Sequence, residues 1–326
     1  MRALVTGGAG FLGHRLVERL LAERFAVTVV DDLSGGSLDH LAAARAYPSF
    51  AFRRGDVRDR PLLDDLVHGM DVVFHLAGAV GVRRVAEDPA GTWSRNVEGS
   101  ASVLEACARH GVRTIVVSTS EVYGARATGV LSEDAPCLVE PAARRDVYAV
   151  SKMAGEGLAL ALHRSALLPA TVVRPFNVVG PRQSDRYGMV LPRFAKAAVL
   201  GEPLPVHGDG RQTRTFLHVD DAVDAFVRLA RASASEGLVV NVGGTEETSI
   251  LELAHRVLAR AGATGGVRFV PFVEVYGEGF VDPLRRRPDV SRLVALTGFA
   301  PTKTLDDAID DALAWARSRE GSPVSG

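Results

Sequence analysis

The stretch Thr6-Gly7-Gly8-Ala9-Gly10-Phe11-Leu12-Gly13 decides how this chain is read. It follows the apolar run Ala3–Thr6 and leads straight into Phe11–Leu21, where Leu12, Leu16, Leu20 and Leu21 recur at helical spacing. Strand, glycine turn and helix in succession, with Gly7, Gly10 and Gly13 three apart, form a cradle for phosphate. The first glycine permits the tight turn, the second lets backbone approach a pyrophosphate, and the third lets helix lie close on strand. The helix N-terminus adds unpaired N–H groups and a favourable dipole. Glycine turns are common, so this one takes its weight from its surroundings.

Those surroundings repeat the pattern. Val27–Val30, Phe50–Arg53, Val72–Leu76, Thr114–Ser118 and Ala170–Arg174 read as strands; Pro61–Val67, Thr92–Arg109 and Val147–His163 read as helices. Apolar strands alternating with helices predict an α/β fold, a doubly wound parallel sheet of Rossmann type covered on both faces. Beyond Tyr148 the register loosens. Gly180-Pro181 and Gly201-Glu202-Pro203-Leu204-Pro205 mark loops, and helices recur near Asp220–Ala232, Ile250–Ala261 and Leu305–Arg317. We expect a dinucleotide-binding domain over 1–175 and a smaller α/β substrate domain over 176–316, some of its strands returning to the sheet. Residues 317–326 are expected to be a flexible tail.

Bulk properties narrow the partners. The 326 residues are 47% apolar and 24% charged, with a net charge of -1, as in a globular protein. No basic stripe recommends nucleic acid or an anionic membrane, and no apolar run is long enough to span a bilayer. Cys107 and Cys137 are too few for a disulfide framework. With no targeting segment visible before the first strand, a cytoplasmic setting is expected. The histidines are scattered without ligand spacing, so no metal is expected.

Asp31 closes the strand Val27-Thr28-Val29-Val30. A carboxylate there accepts hydrogen bonds from ribose hydroxyls and repels a 2′-phosphate, which selects NAD over NADP. The competing reading is an aspartate that merely opens the turn Asp32-Leu33-Ser34-Gly35-Gly36. Asp56-Val57 is placed to cap the adenine, with a plain turn again competing. The expected cofactor contacts are Gly7, Gly10, Phe11, Leu12, Asp31, Asp32, Asp56, Val57, Leu76, Ala77, Tyr148 and Lys152.

Tyr148-Ala149-Val150-Ser151-Lys152 is the sharpest local signal. Residues four apart on a helix share a face, so phenol and ammonium point to one site. A nearby ammonium and a positive nicotinamide favour phenolate, so the tyrosine pKa is expected to fall and the group to remove a hydroxyl proton. A solvent-facing pair is the alternative. Against it, lysine occurs only at Lys152, Lys196 and Lys303 in an arginine-rich chain. Upstream, Ser118-Thr119-Ser120-Glu121-Val122-Tyr123-Gly124 ends a strand at the edge where open sheets bind ligands. Thr119 is placed to hydrogen-bond a substrate hydroxyl and Glu121 to act on protons; a loop whose hydroxyls only satisfy backbone is the other reading.

Together these residues resemble the extended short-chain dehydrogenase/reductase family, in its branch of nucleotide-sugar epimerases, dehydratases and decarboxylases. The resemblance runs from about Arg2 to Ala316 and includes Arg174-Pro175-Phe176-Asn177-Val178-Val179-Gly180-Pro181-Arg182 and Gly208-Asp209-Gly210-Arg211-Gln212-Thr213-Arg214-Thr215-Phe216. Asn241-Val242-Gly243-Gly244 and Arg286-Arg287-Pro288-Asp289 continue it. It implies that Asn177, Arg214 and Arg286 surround a nucleotide diphosphate. It also implies that Met189–Phe194, with Val190 and Leu191, contacts base and phosphates, and that Ser120 touches substrate. Family members begin with oxidation of the sugar at C4. Thr119-Ser120-Glu121 lacks the aspartate that usually follows the threonine of 4,6-dehydratases, and resembles the UDP-glucuronate decarboxylases, or UDP-xylose synthases. Glu121 would then assist a proton at C5, and Arg214 would sit by the sugar carboxylate or the phosphate. Gly124-Ala125-Arg126 departs from the Gly-Asp-Pro of those enzymes, as does Gln183–Met189, which keeps a UDP-sugar or UDP-uronate 4-epimerase open. A non-catalytic NAD-binding sensor is the reading from another class, and such proteins often lose the Tyr or Lys kept here. The resemblance further implies a homodimer built on Thr92–Arg109 and Val147–His163.

Overall fold

The computed structural model describes residues 1–81, 85, 87–140, 146–185, 189–278 and 282–320. A seven-stranded sheet organises the first part: β1 (Arg2–Thr6), β2 (Ala26–Asp31), β3 (Phe50–Arg54), β4 (Val72–His75), β5 (Arg113–Val117), β6 (Ala170–Pro175) and β7 (Val239–Val242). Every pairing is parallel, and the order is β7-β6-β5-β4-β1-β2-β3. That is the doubly wound order with one strand added beside β6. The direction of winding reverses between β1 and β4, which opens a crevice at their C-terminal ends.

Helices α1 (Phe11–Ala22), α2 (Arg60–Val67), α3 (Pro89–His110) and α4 (Val147–Arg164) lie in this part. Then follow α5 (Val190–Leu200), α6 (Val219–Arg231), α7 (Ile250–Ala261), α8 (Phe272–Tyr276), α9 (Ser291–Thr297) and α10 (Leu305–Glu320). One sheet face is covered by α1 and α6, through Leu16, Leu20, Val223 and Phe226. The other is covered by α2, α3 and α4, through Leu63, Val103, Leu104 and Ala159. A separate core joins α5, α7 and α10 through Leu191, Phe194, Leu253, Val257, Ile309 and Leu313.

β7, from the chain's second half, pairs with β6, and α6 packs on the sheet. The tail expectation is corrected in part. Arg317–Glu320 complete α10, whose last turn carries Arg317 and Arg319 where the helix dipole favours cations; residues 321–326 lie outside the described ones. Strands of two to four residues at Val130–Leu131, Leu204–His207, Thr213–Thr215, Glu247–Ser249 and Arg285–Pro288 were not legible, being too short to show a period.

Candidate functional site

Several helix starts here are closed by a side chain. Asp59 caps α2, Asp88 caps α3, and Ser249 caps α7. α1 is different: Gly10 precedes it with no side-chain cap and no acid in its first turn. Its first N–H groups are thus left for an anion. The glycines act as their spacing implies. Gly7 sits at φ 73°, and a Cβ there would lie 2.7 Å from the Ala77 nitrogen. A Cβ on Gly13 would strike the Gly7 carbonyl, whereas Gly10 faces the cleft with only Gly7 O at 3.2 Å.

A cavity of about 360 Å³ opens over this turn, lined by every expected cofactor contact from Gly7 to Lys152. Asp31 serves both readings. Its carboxylate accepts the Ala9 N–H at 2.9 Å and the Leu33 N–H at 2.8 Å, and it still lines the cavity. Burial pushes its carboxyl upward. Asp32 accepts from Ser34 N at 2.8 Å, and Asp56 is held below the usual carboxylate range by its hydrogen bonds with Arg58. The cradle fits a dinucleotide: uncapped amides for the pyrophosphate, an acid at the end of β2 for a ribose, and no bulk at Gly10.

The same cavity receives Thr119, Ser120, Glu121, Tyr148 and Lys152. Thr119 accepts the Glu121 N–H at 3.2 Å and so caps the short 3₁₀ turn Ser120–Tyr123. Tyr148 and Lys152 are 9% and 8% exposed, which removes the solvent-facing alternative. The other two lysines behave as ordinary surface groups: Lys196 is exposed and pairs with Asp185, and Lys303 is exposed. The protein's own groups shift the tyrosine upward, so the expected fall would have to come from the positive nicotinamide. Burial pushes the phenol up, the Glu121 charge adds to that, and a Thr119 hydrogen bond opposes it. Burial also pushes the Lys152 ammonium down to about 8, with Glu156 opposing. In a dry cleft desolvation outweighs the neighbouring cation.

Sequence reasoning missed Asn96. Its Oδ1 accepts the Ala79 N–H at 2.7 Å, and its Nδ2 donates to Ser151 Oγ at 2.9 Å. Ser151 donates to the Tyr148 carbonyl at 2.7 Å, so Asn96 ties the wall of the cavity to the helix that carries the tyrosine. The signal was present: Thr92, Asn96 and Ser100 form a polar stripe at four-residue spacing on a helix face that is buried.

A second cavity of about 190 Å³ shares Asn177, Val178, Gln183, Met189 and Arg286 with the first. It is lined also by Val190, Leu191, Arg193, His207, Arg214, Phe272 and Tyr276. Met189 leaves the start of α5 without a side-chain cap, so its amides too are open. Arg214 is expected both among the catalytic residues and at the substrate. It lines the second cavity and not the cleft around Tyr148, its guanidinium held by Asp282 at 2.7 Å and the Pro283 carbonyl at 2.8 Å. Asn177 and Arg286, expected with it at the diphosphate, line both cavities and so stand between Arg214 and the cleft. Arg193 lies in the stretch Met189–Phe194 expected at the base and phosphates; its contact with His207 at 2.9 Å was missed because the two are not at a telling spacing.

A doubly wound sheet, an uncapped glycine turn and a buried Tyr–Lys stripe describe an NAD-dependent enzyme of the short-chain dehydrogenase/reductase type. The chain belongs to the NAD dependent epimerase/dehydratase family, whose description matches residues 3–243. It is 36% identical over 322 residues to a UDP-N-acetyl-alpha-D-glucosaminuronate decarboxylase of Bacillus cytotoxicus, covering 98% of each chain. It is 37% identical over 318 residues to a dTDP-glucose 4,6-dehydratase of Streptomyces griseus, covering 96% of this chain and 93% of that one. The UDP-glucuronic acid 4-epimerase of Bacillus cereus, solved with UDP-glucuronic acid and NAD, superposes with a TM-score of 0.87 at 30% identity. That match covers 98% of this chain and all of the other. NAD is the cofactor, and the chain carries out an NAD-dependent conversion of a nucleotide sugar. No helix of the described residues is long and apolar enough to cross a membrane.

Proposed function

We propose that the chain decarboxylates UDP-glucuronate to UDP-xylose through a 4-keto intermediate. The observation that carries this reading is the convergence of Thr119, Glu121 and Tyr148 in one cleft, with Ser120 where a dehydratase places its acid. Glu121 lies close enough to the phenol for its charge to act on it. The 36% identical uronate decarboxylase supports the same reaction type.

NAD, held over Gly7, Gly10 and Asp31, would supply the hydride acceptor for the sugar's C4 and the donor for its later reduction. Tyr148 takes the C4 hydroxyl proton, with the Thr119 hydroxyl sharing the hydrogen bond. Because burial and Glu121 hold the phenol neutral, its proton leaves when a positive charge is brought beside it, which couples proton removal to cofactor loading. The C4 ketone places the C6 carboxylate β to a carbonyl. The C5–C6 bond then breaks, its electron pair passing toward the C4 oxygen as carbon dioxide leaves. Glu121 delivers or orders the proton that C5 takes up, and Tyr148 returns its proton as C4 is reduced. We assign Asn177, Arg286 and Arg214, with the open amides before Val190 and Leu191, to the diphosphate and uridine end. The division into domains at about 175 and the pairing of two copies through α3 and α4 belong to this proposal.

The test is mass spectrometry of the purified protein with NAD and either UDP-glucuronate or UDP-N-acetylglucosaminuronate. Loss of carbon dioxide from the first, giving UDP-xylose, is the expected result; loss only from the second would move the substrate to the 2-acetamido uronate. The second reading, 4-epimerisation, is favoured by the fit to the Bacillus cereus epimerase. It would appear as unchanged mass with a new retention time, and that outcome overturns the decarboxylase.

A further inference from the structure

Tyr148 and Lys152 have a third member on their helix stripe. Glu156 follows at the same four-residue spacing on α4 and is 5% exposed. Its carboxylate accepts the Ser118 hydroxyl, Arg174 Nε at 2.9 Å and Arg174 Nη2 at 2.6 Å. Arg174, on β6, sets its guanidinium 4.8 Å from the centre of the Tyr123 ring. The Tyr123 hydroxyl donates to Asn241 on β7 at 2.7 Å, and Asn241 donates to the Leu131 carbonyl at 2.9 Å. Each tie ends beside the reacting site. Ser118 precedes Thr119, Tyr123 closes the turn that carries Glu121, and Glu156 stands one turn beyond Lys152.

A buried ion pair is a weak way to gain stability, because desolvation consumes most of its attraction and apolar packing would serve as well. Its place here, on the stripe of the reacting pair, points to another use. We propose that Glu156, clamped by Arg174 and Ser118, is a positioning residue that keeps the Lys152 ammonium charged and directed at the reacting site. The same network registers Thr119 and Glu121 against Tyr148. This rests on Tyr148 and Lys152 as the proton-handling pair and is indifferent to which sugar is turned over.

The sign of the effect follows from the charged and titratable groups of this network. Lys152 interacts with Glu156 on α4 and His75 on β4; Tyr148, beside it on α4, feels Glu121 from the 3₁₀ turn; and Arg174 on β6, which holds Glu156, also acts on Tyr123 and Cys137, with Glu133 acting on Tyr123. His75 is neutral, pushed down to about 3 by burial, and burial likewise holds the Tyr148 phenol neutral. Glu156 is the group whose charge opposes the desolvation of Lys152. Removing that charge lowers the pH at which the ammonium is lost; weakening Arg174's hold on it does not.

The chain has three lysines, so protein labelled with ¹⁵N-lysine gives three side-chain titrations, and K152A assigns the buried one. In E156Q we expect the Lys152 midpoint to fall by about one pH unit or more, and the alkaline limb of turnover to move down with it. In R174K the midpoint stays or rises while turnover still falls, because a lysine lacks the fork that grips both carboxylate oxygens. An E156Q midpoint equal to the parent's, with only the melting temperature lowered, overturns the proposal and leaves a purely structural ion pair. Should E156Q fail to fold, E156D decides. It keeps the charge at shorter reach, so a smaller fall in midpoint with at least tenfold lower turnover supports the proposal, and parental values of both overturn it. The titration needs no substrate, so it stands or fails apart from the sugar assignment.

Discussion

At the residue scale the site is governed by burial. Tyr148 and Lys152 are uncharged or easily uncharged because little water reaches them, and each neighbouring charge acts through a medium of low polarizability. Removal of the Tyr148 hydroxyl therefore strikes the chemistry and spares the cradle, which is built from Gly7, Gly10 and Asp31. In Y148F we expect turnover to fall by roughly 10²–10⁴-fold, with NAD affinity by fluorescence titration within about threefold of the parent. Turnover that survives this change would take Tyr148 out of the proton transfer, and a parent with NAD affinity but no turnover on any nucleotide sugar would favour the NAD-binding sensor. Tyr148, Lys152, Thr119 and Glu121 were legible because spacing on a helix or at a strand end fixes where such groups face. The direction of the phenol's shift was not, because it depends on how dry the cleft is.

At the element scale the strand–turn–helix unit carries the cofactor end. The third glycine is needed because α1 passes so close to the turn that a side chain at Gly13 would meet the Gly7 carbonyl. G13A should push α1 off the turn, destabilising the fold by about 1–3 kcal/mol, and should weaken NAD binding at least tenfold. A thermal melt and a direct binding titration check both. NAD binding at parental strength would show that α1 shifts without disturbing the amides. The contrast between uncapped α1 and the capped α2, α3 and α7 was visible in sequence as Gly10 against Asp59, Asp88 and Ser249. Asn96 was overlooked on the same grounds that hide most positioning residues: its role comes from Ala79 and Ser151, which are distant in sequence.

At the scale of the whole molecule, one outer face stays apolar. Along α3 run Trp93, Val97, Ala101 and Ala108, and along α4 Val150, Ala154, Gly157 and Ala161, all partly or fully exposed. Small residues at four-residue spacing let helices of a second copy approach closely, and Trp93 at 43% exposure supplies area to bury. We expect a homodimer by sedimentation velocity at micromolar concentration, reduced to monomer by a charged pair such as A101E with A154E. A monomeric parent under the same conditions would sink this assembly.

The sequence by itself determined the doubly wound sheet, the glycine cradle, the acid at the end of β2 and the Tyr–Lys stripe. These are local patterns, in which spacing along the chain dictates direction in space. It could not divide the binding surface into a cleft around Tyr148 and a second cavity holding Arg214, because that split depends on Asp282 and Pro283 meeting a strand some seventy residues earlier. Nor could it join Glu156 to Ser118, Arg174, Tyr123 and Asn241, which lie on three separate segments. Only tertiary packing brings such groups within hydrogen-bond reach, and only the burial that accompanies it gives their charges consequence.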